Sequence, residues 1–203
     1  MEGLIICKEP EGTIAEAYRV MCANVLAALG EKKVVEVTSV SDAGNTCTVV
    51  ANLAVTMAQN GKNVLVIDCN LRNPKQHELF CLQNTGVAEC STSGEYYTTF
   101  VQETMQPNLF VLAAGTIAGN PAKILLSKAI QNLLQNAKEA YDVILLDVPP
   151  VSVASDAIAL GTRTDGVLLV ITNKKDKVEE AQKAKEMFTQ AGISLLGCVL
   201  DKA

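Results

Sequence analysis

The 203-residue sequence predicts a three-layer α/β/α fold built on a doubly wound, mainly parallel sheet. Three features point that way. Short, continuous, β-branched apolar runs recur along the chain, as expected of strands buried on both faces. Segments of helical period and helical length lie between them. The two kinds alternate, the pattern of parallel strands joined by crossover helices.

Residues 13–29 read as the first helix, with Ala17, Val20, Met21, Asn24, Val25 and Ala28 at helical spacing. A strand at 34–40 follows, then a helix at 47–60 that stops on Gly61, a residue suited to the left-handed C-terminal turn. Residues 63–67 form the next strand, and 109–113 a shorter one. A single helix at 120–140 opens on Asn120-Pro121, a capping residue followed by a first-turn proline. Strands at 143–146, 166–172 and 195–200 complete the sheet, and a helix at 176–191 ends on Gly192. Residues 84–107 are weakly patterned and read as mixed loop and short helix. With no repeats, charge blocks or low-complexity linkers, residues 1–203 are expected to form one domain.

Composition narrows the function classes. With 17 basic and 22 acidic side chains the net charge is −5, which argues against nucleic acid as a partner. No apolar run approaches the roughly 20 residues that span a bilayer. Glu2, Lys8 and Glu9 make the first ten residues unlike a secretory leader, so a cytoplasmic protein is expected. The seven cysteines are odd in number and scattered without a CxxC, so they read as small buried hydrophobes.

One junction carries chemistry. A strand ending near Val40, a turn of small residues and a helix starting near Cys47 is the layout of a phosphate-binding loop. Two further strands end in carboxylates, Asp68 and Asp147, placed to face the ligand crevice of a parallel sheet.

Several segments now match in order and spacing: Glu16-Ala-Tyr-Arg19, Ala51-Asn-Leu-Ala54, the run from Asp68 to Pro74, His77 to Phe80, Asn120-Pro-Ala122, Tyr141 to Val151, Ser155-Asp-Ala157 and Asp165 to Val170. With them the chain resembles the kinase domain of the bacterial tyrosine kinases of capsule and exopolysaccharide synthesis. Those kinases belong to the P-loop ATPases that include MinD and ParA. The resemblance implies a P-loop NTPase-like fold with ATP and Mg²⁺ as cofactors. It also implies Asp68 and Asp147 as catalytic and metal-facing residues. Gly44, Asn45, Thr46, Cys47 and Thr48 would form the phosphate loop, with Arg72 near the phosphates and either Cys47 or Thr46 as the metal-ligating position.

The departures are as informative. Counted back from Ala51 without a gap, Thr46 stands at the family's lysine and Cys47 at its hydroxyl. Aligning Gly44 with the preceding glycine instead puts Asn45 at the lysine and Thr46 at the hydroxyl; the spacing to Asp68 favours the first register. In both, no Lys or Arg occurs from residue 34 through residue 61. Asn70 stands at the family's second acidic position, and Val148 at the Thr of its D-T-P-P. A thiol near a helix N-terminus can have a lowered pKa, but the expected reading of Cys47 is a buried, inert thiol.

The expected function is a kinase-like scaffold in capsule or exopolysaccharide synthesis, with impaired ATP binding. The alternative is an active ATP-dependent protein-tyrosine kinase or ATPase with a non-standard phosphate loop, and a third is a site adapted to another ligand. The resemblance implies a transmembrane polysaccharide co-polymerase-type adaptor that would hold the chain at the inner membrane face. It also implies a homo-oligomeric ring through an E-x-x-R-x-x-R pattern on helix 13–29. Glu16 and Arg19 are present, but Cys22 replaces the second arginine, which puts the ring in doubt. The family's tyrosine-rich tail is not matched; the tyrosines here are Tyr18, Tyr96, Tyr97 and Tyr141.

Overall fold

A computed structural model describes residues 4–117, 119–153 and 155–202. The reading of the first ten residues therefore rests partly on Glu2, which lies outside the described residues.

In chain order the elements are α1 (Ile5–Lys8), α2 (Thr13–Leu29), β1 (Val34–Ser39), α3 (Thr46–Gln59), β2 (Val64–Asp68), α4 (Gln76–Phe80) and α5 (Val87–Thr92). A short 3-10 turn at Tyr97–Thr99 follows, then β3 (Gln102–Glu103) and β4 (Leu109–Leu112). The chain continues through α6 (Pro121–Leu125), α7 (Lys128–Ala140), β5 (Val143–Asp147), α8 (Asp156–Gly161), β6 (Gly166–Thr172), α9 (Val178–Gln190) and β7 (Leu195–Asp201). The strands form one sheet in the order β3-β4-β2-β5-β1-β6-β7, parallel except for the β3–β4 pair. Every residue of β1, β2 and β5 is buried, which is why these strands read as unbroken apolar runs.

Strand alternation sends side chains to two cores. Val35, Val37, Val64, Val66 and Leu145 pack with α1 to α4 on one face. Leu65, Ile67, Ile144, Leu146 and Leu169 pack with α5 to α9 on the other.

Local competition moved several boundaries. The predicted helix 120–140 is two helices, because Ser127 caps a new start: its Oγ accepts the Ile130 N–H at 3.3 Å. Asn120 does cap α6, accepting the Ala122 N–H at 3.0 Å. Asp176 lies outside α9 because its carboxylate accepts the Thr172 N–H at 2.6 Å and the Ser41 hydroxyl. Helix α2 turns a different face inward than the spacing predicts. Ala15, Cys22, Val25 and Leu29 are buried, whereas Val20 is exposed. Apolar residues lie on more than one side of this helix, so packing against α3 chose the face. Of the cysteines, Cys22, Cys69 and Cys90 are buried as expected, and Cys7, Cys81 and Cys198 are exposed. Among the described residues no helix is long and apolar enough to cross a membrane.

Glu36 sits at the centre of β1 with 0% exposure, and neither carboxylate oxygen has a hydrogen-bond partner among the described residues. Burial holds its pKa well above the ordinary carboxylate range, so the group stays protonated where an unfolded chain would ionise. Folding therefore takes up a proton, and this contribution to stability falls as pH rises above about 4.5. Glu36→Gln is expected to raise Tm at pH 8 by at least about 2–4 °C, the shift that ~1 kcal/mol gives in a chain of this size. At pH 4 the shift should be near zero. Equal shifts in melting scans at the two pH values would contradict the assignment.

Candidate functional site

The predicted site residues meet at the C-terminal end of the sheet. A cleft of about 490 Å³ opens there, walled by Gly44 to Thr48 on one side and by Asn70, Arg72, Asn73 and Lys75 on the other. Its position follows from topology: β1 lies between β5 and β6, so its loop emerges beside the ends of β5 and β2.

The loop from β1 to α3 closes on itself. The Gly44 N–H donates to the Ser41 carbonyl at 3.2 Å, and the Ser39 hydroxyl donates to the same oxygen at 2.9 Å. A Cβ on Gly44 would stand 2.6 Å from Ser39 Cβ, so only glycine fits. Ser41 also donates to Asp176, pinning the loop to the segment after β6. Helix α3 then presents its first N–H groups to the cleft, an arrangement that attracts anions. Thr46 is buried and its hydroxyl has no partner among the described residues; Cys47 and Thr48 are half-buried.

The carboxylates stand side by side because Asp68 and Asp147 are register partners in the parallel β2–β5 ladder. Both are fully buried. The Asp68 carboxylate is consumed by backbone donors: Oδ1 accepts the Asn70 N–H at 3.1 Å, and Oδ2 accepts Lys75 and Gln76 N–H at 3.1 and 3.0 Å. Burial nevertheless lifts its pKa to about 6. The Asp147 pKa is also raised well above the ordinary range, first by burial and then by the Asp68 charge. Its Oδ2 accepts the Gln76 side-chain amide at 2.6 Å, and its Oδ1 has no partner among the described residues.

Arg72 lines the cleft and pairs with the buried Asp156 at 3.3 Å; Lys75 pairs with Glu78 at 3.0 Å. Two cations thus stand on the wall facing the loop, each already engaged by a carboxylate. The thiol of Cys47 is of the inert kind expected rather than the reactive one. Burial, reinforced by Asp147, pushes its pKa up rather than down, so the nearby helix N-terminus does not make it reactive. His77 lies on α4, half-buried, with no partner for Nδ1. Gln76 and Lys75 were missed from sequence. The available signal was position, since they directly follow Pro74 at the start of α4, eight residues or fewer after Asp68.

A hard divalent cation such as Mg²⁺ requires several free oxygen ligands. Asp68 has both oxygens engaged, Asp147 has one taken by an amide, and a thiol occupies the position next to Thr46. Among the described residues no three His, Cys, Asp or Glu side chains gather as a metal site. The unpartnered oxygens that remain at this site among the described residues, Thr46 Oγ1, Asp147 Oδ1 and Gln76 Oε1, include a single carboxylate oxygen, a poor donor set for the ion.

The two carboxylates are expected to respond oppositely to amide substitution. Asp68→Asn removes an acceptor from backbone N–H groups and should cost about 1–3 kcal/mol at pH 8. Asp147→Asn relieves like-charge repulsion and should leave Tm unchanged or higher at pH 8, with less gain at pH 5. Denaturation of both variants at the two pH values checks the contrast.

Comparison with known proteins agrees with this architecture. Residues 31–201 match the ParA family model described as NUBPL iron-transfer P-loop NTPase. The chain is 37% identical over 201 residues to the tyrosine-protein kinase YwqD of Bacillus subtilis (strain 168), covering 98% of this chain and 85% of that protein. It superposes on the crystal structure of the chimerical protein CapA2B2 with TM-score 0.93 at 30% identity, covering 100% and 91% of the two chains. MinD of Pyrococcus horikoshii, solved with Mg-ADP, shares the fold at TM-score 0.70 and 20% identity, over 83% of this chain and 69% of that one. A seven-stranded, mostly parallel sheet with this strand order, a tight loop and helix start beside two strand-end aspartates, and this degree of identity place the chain among the bacterial tyrosine kinases of capsule synthesis, in the ParA/MinD group of P-loop NTPases.

Proposed function

We propose that this chain is a non-catalytic, kinase-fold scaffold of capsule or exopolysaccharide synthesis, with ATP binding impaired. The observation that carries this reading is the phosphate loop itself: Thr46 and Cys47 stand where the cation and the metal-ligating hydroxyl belong, and residues 34–61 hold no Lys or Arg. Phosphoryl transfer depends on positioning and on neutralising charge, so this loss is expected to cost 10³-fold or more in rate, on the order of 4 kcal/mol. The cations across the cleft do not replace the lysine. Arg72 is held by Asp156 and Lys75 by Glu78, while Asp42 adds a negative charge to the loop wall.

Through that fold the chain would bind a membrane adaptor of the polysaccharide co-polymerase type, from the cytoplasmic side. The likeness to the chimerical protein CapA2B2 supports this partner class. The ring pattern on α2 is incomplete. Glu16 and Arg19 pair with each other at 2.8 Å, and Cys22 is buried beneath the helix, 3.4 Å from the Asn60 amide.

Calorimetric titration with Mg-ATP tests the reading. No saturable binding is expected below about 1 mM, equivalent to less than ~4 kcal/mol. Micromolar affinity would overturn it in favour of an active kinase with a non-standard loop. The combined replacement Asn45→Gly, Thr46→Lys and Cys47→Ser should gain binding. In light scattering a monomer or dimer is expected, and a closed ring would contradict the consequence drawn from Cys22.

A further inference from the structure

We propose that Gln76 closes this site to a divalent cation by placing its amide nitrogen where the cation's charge would otherwise be needed. The inference rests on the scaffold reading of the cleft and names the side chain that enforces it. Nε2 of Gln76 donates to Asp147 Oδ2 at 2.6 Å and to the Cys47 carbonyl at 3.0 Å. One NH₂ group therefore ties the end of β5 to the first turn of α3, the two elements between which a metal–phosphate unit would sit. The amide orientation is fixed by these partners. Both are oxygens, and turning the group round would set Oε1 against a carbonyl and a carboxylate.

Gln76 is fully buried, and its backbone is held as firmly as its side chain. Its N–H donates to Asp68 Oδ2 at 3.0 Å, so one residue serves both carboxylates of the pair. Two buried acids side by side need positive charge or donors. Here neutral donors supply the need: three backbone N–H groups at Asp68 and one amide at Asp147. A metal could approach Asp147 only through Oδ1 and would meet the amide held on Oδ2, while both Asp68 oxygens already accept backbone N–H groups.

The brace is incomplete. Asp147 Oδ1 and Gln76 Oε1 are buried without partners among the described residues. Removing the two donated bonds would leave Asp147 with no donor at all, beside the Asp68 charge. A buried carboxylate in that condition takes up a proton or recruits a cation, and Mn²⁺ competes with the proton for it. Gln76 thus acts as a specificity residue against metal, and the position rather than the fold decides the affinity.

Mn²⁺, titrated alone and followed by electron paramagnetic resonance, tests this on the whole chain without nucleotide. The unsubstituted protein should bind no Mn²⁺ below about 1 mM. Gln76→Met keeps the volume of the side chain and removes both donors, and should tighten Mn²⁺ binding at least about tenfold, the usual scale of effects from groups around metal ligands. Gln76→Ala should do the same if it folds, and adding Asp147→Asn to Gln76→Met should abolish the gain. Micromolar Mn²⁺ binding by the unsubstituted protein, or Gln76→Met binding no tighter than it, would overturn the proposal. These outcomes are separate from those for Mg-ATP. A failed Gln76→Met response leaves the scaffold reading standing, whereas micromolar Mg-ATP binding removes that reading first.

Discussion

Two aspartates that end neighbouring strands in register are the constraint around which the site is organised. Parallel pairing of β2 and β5 sets Asp68 beside Asp147, and helices on both faces of the sheet keep water away from both. Like charges so placed cannot both ionise freely. The segment from Asn70 to Gln76 is shaped to serve them, folding its N–H groups back onto Asp68 and its one buried amide onto Asp147. The path of that segment also brings Arg72 and Lys75 to the wall of the cleft. Charge balance at the strand ends thus explains the loop, the start of α4 and the cations near the mouth as one arrangement.

On the scaffold reading proposed above, the loop opposite keeps the shape of a phosphate site without its cation. Loop geometry survives because it depends on glycine, serine and backbone bonds: Gly44 against Ser39, Ser39 onto Ser41, Ser41 onto Asp176. None of these needs the lysine. A fold can therefore keep the shape of an anion site long after losing the charge that gives it catalytic strength. On that reading the cleft keeps its helix N–H groups, while residues 34–61 hold no Lys or Arg to add to them. The membership shown by the comparisons and the scaffold role proposed here are compatible for that reason.

Much of the fold was legible before the structure. Buried parallel strands are continuous apolar runs, so β1, β2, β5, β6 and β7 fell within a residue of their expected ends. The failures have local causes. Ser127 capped a second helix inside 120–140, Asp176 was drawn away from α9 by Ser41 and Thr172, and α2 was apolar on too many sides to reveal its buried face. Short helices such as α1, α4 and α8 carry too few periods to announce themselves.

For the site, the sequence alone determined which residues flank the strand ends and that no basic residue lies between positions 34 and 61. Those are facts of order and spacing, and strand–loop–helix geometry translates them directly into place. Only the tertiary structure decided what each group touches. Gln76 reaches Asp147 across 71 positions, Arg72 meets Asp156 across 84, and Glu36 is left in the core with no hydrogen-bond partner among the described residues. Periodicity records which face a residue presents to its own element. The donors and acceptors opposite it are set by sheet register and helix packing, which bring together side chains that no local pattern relates.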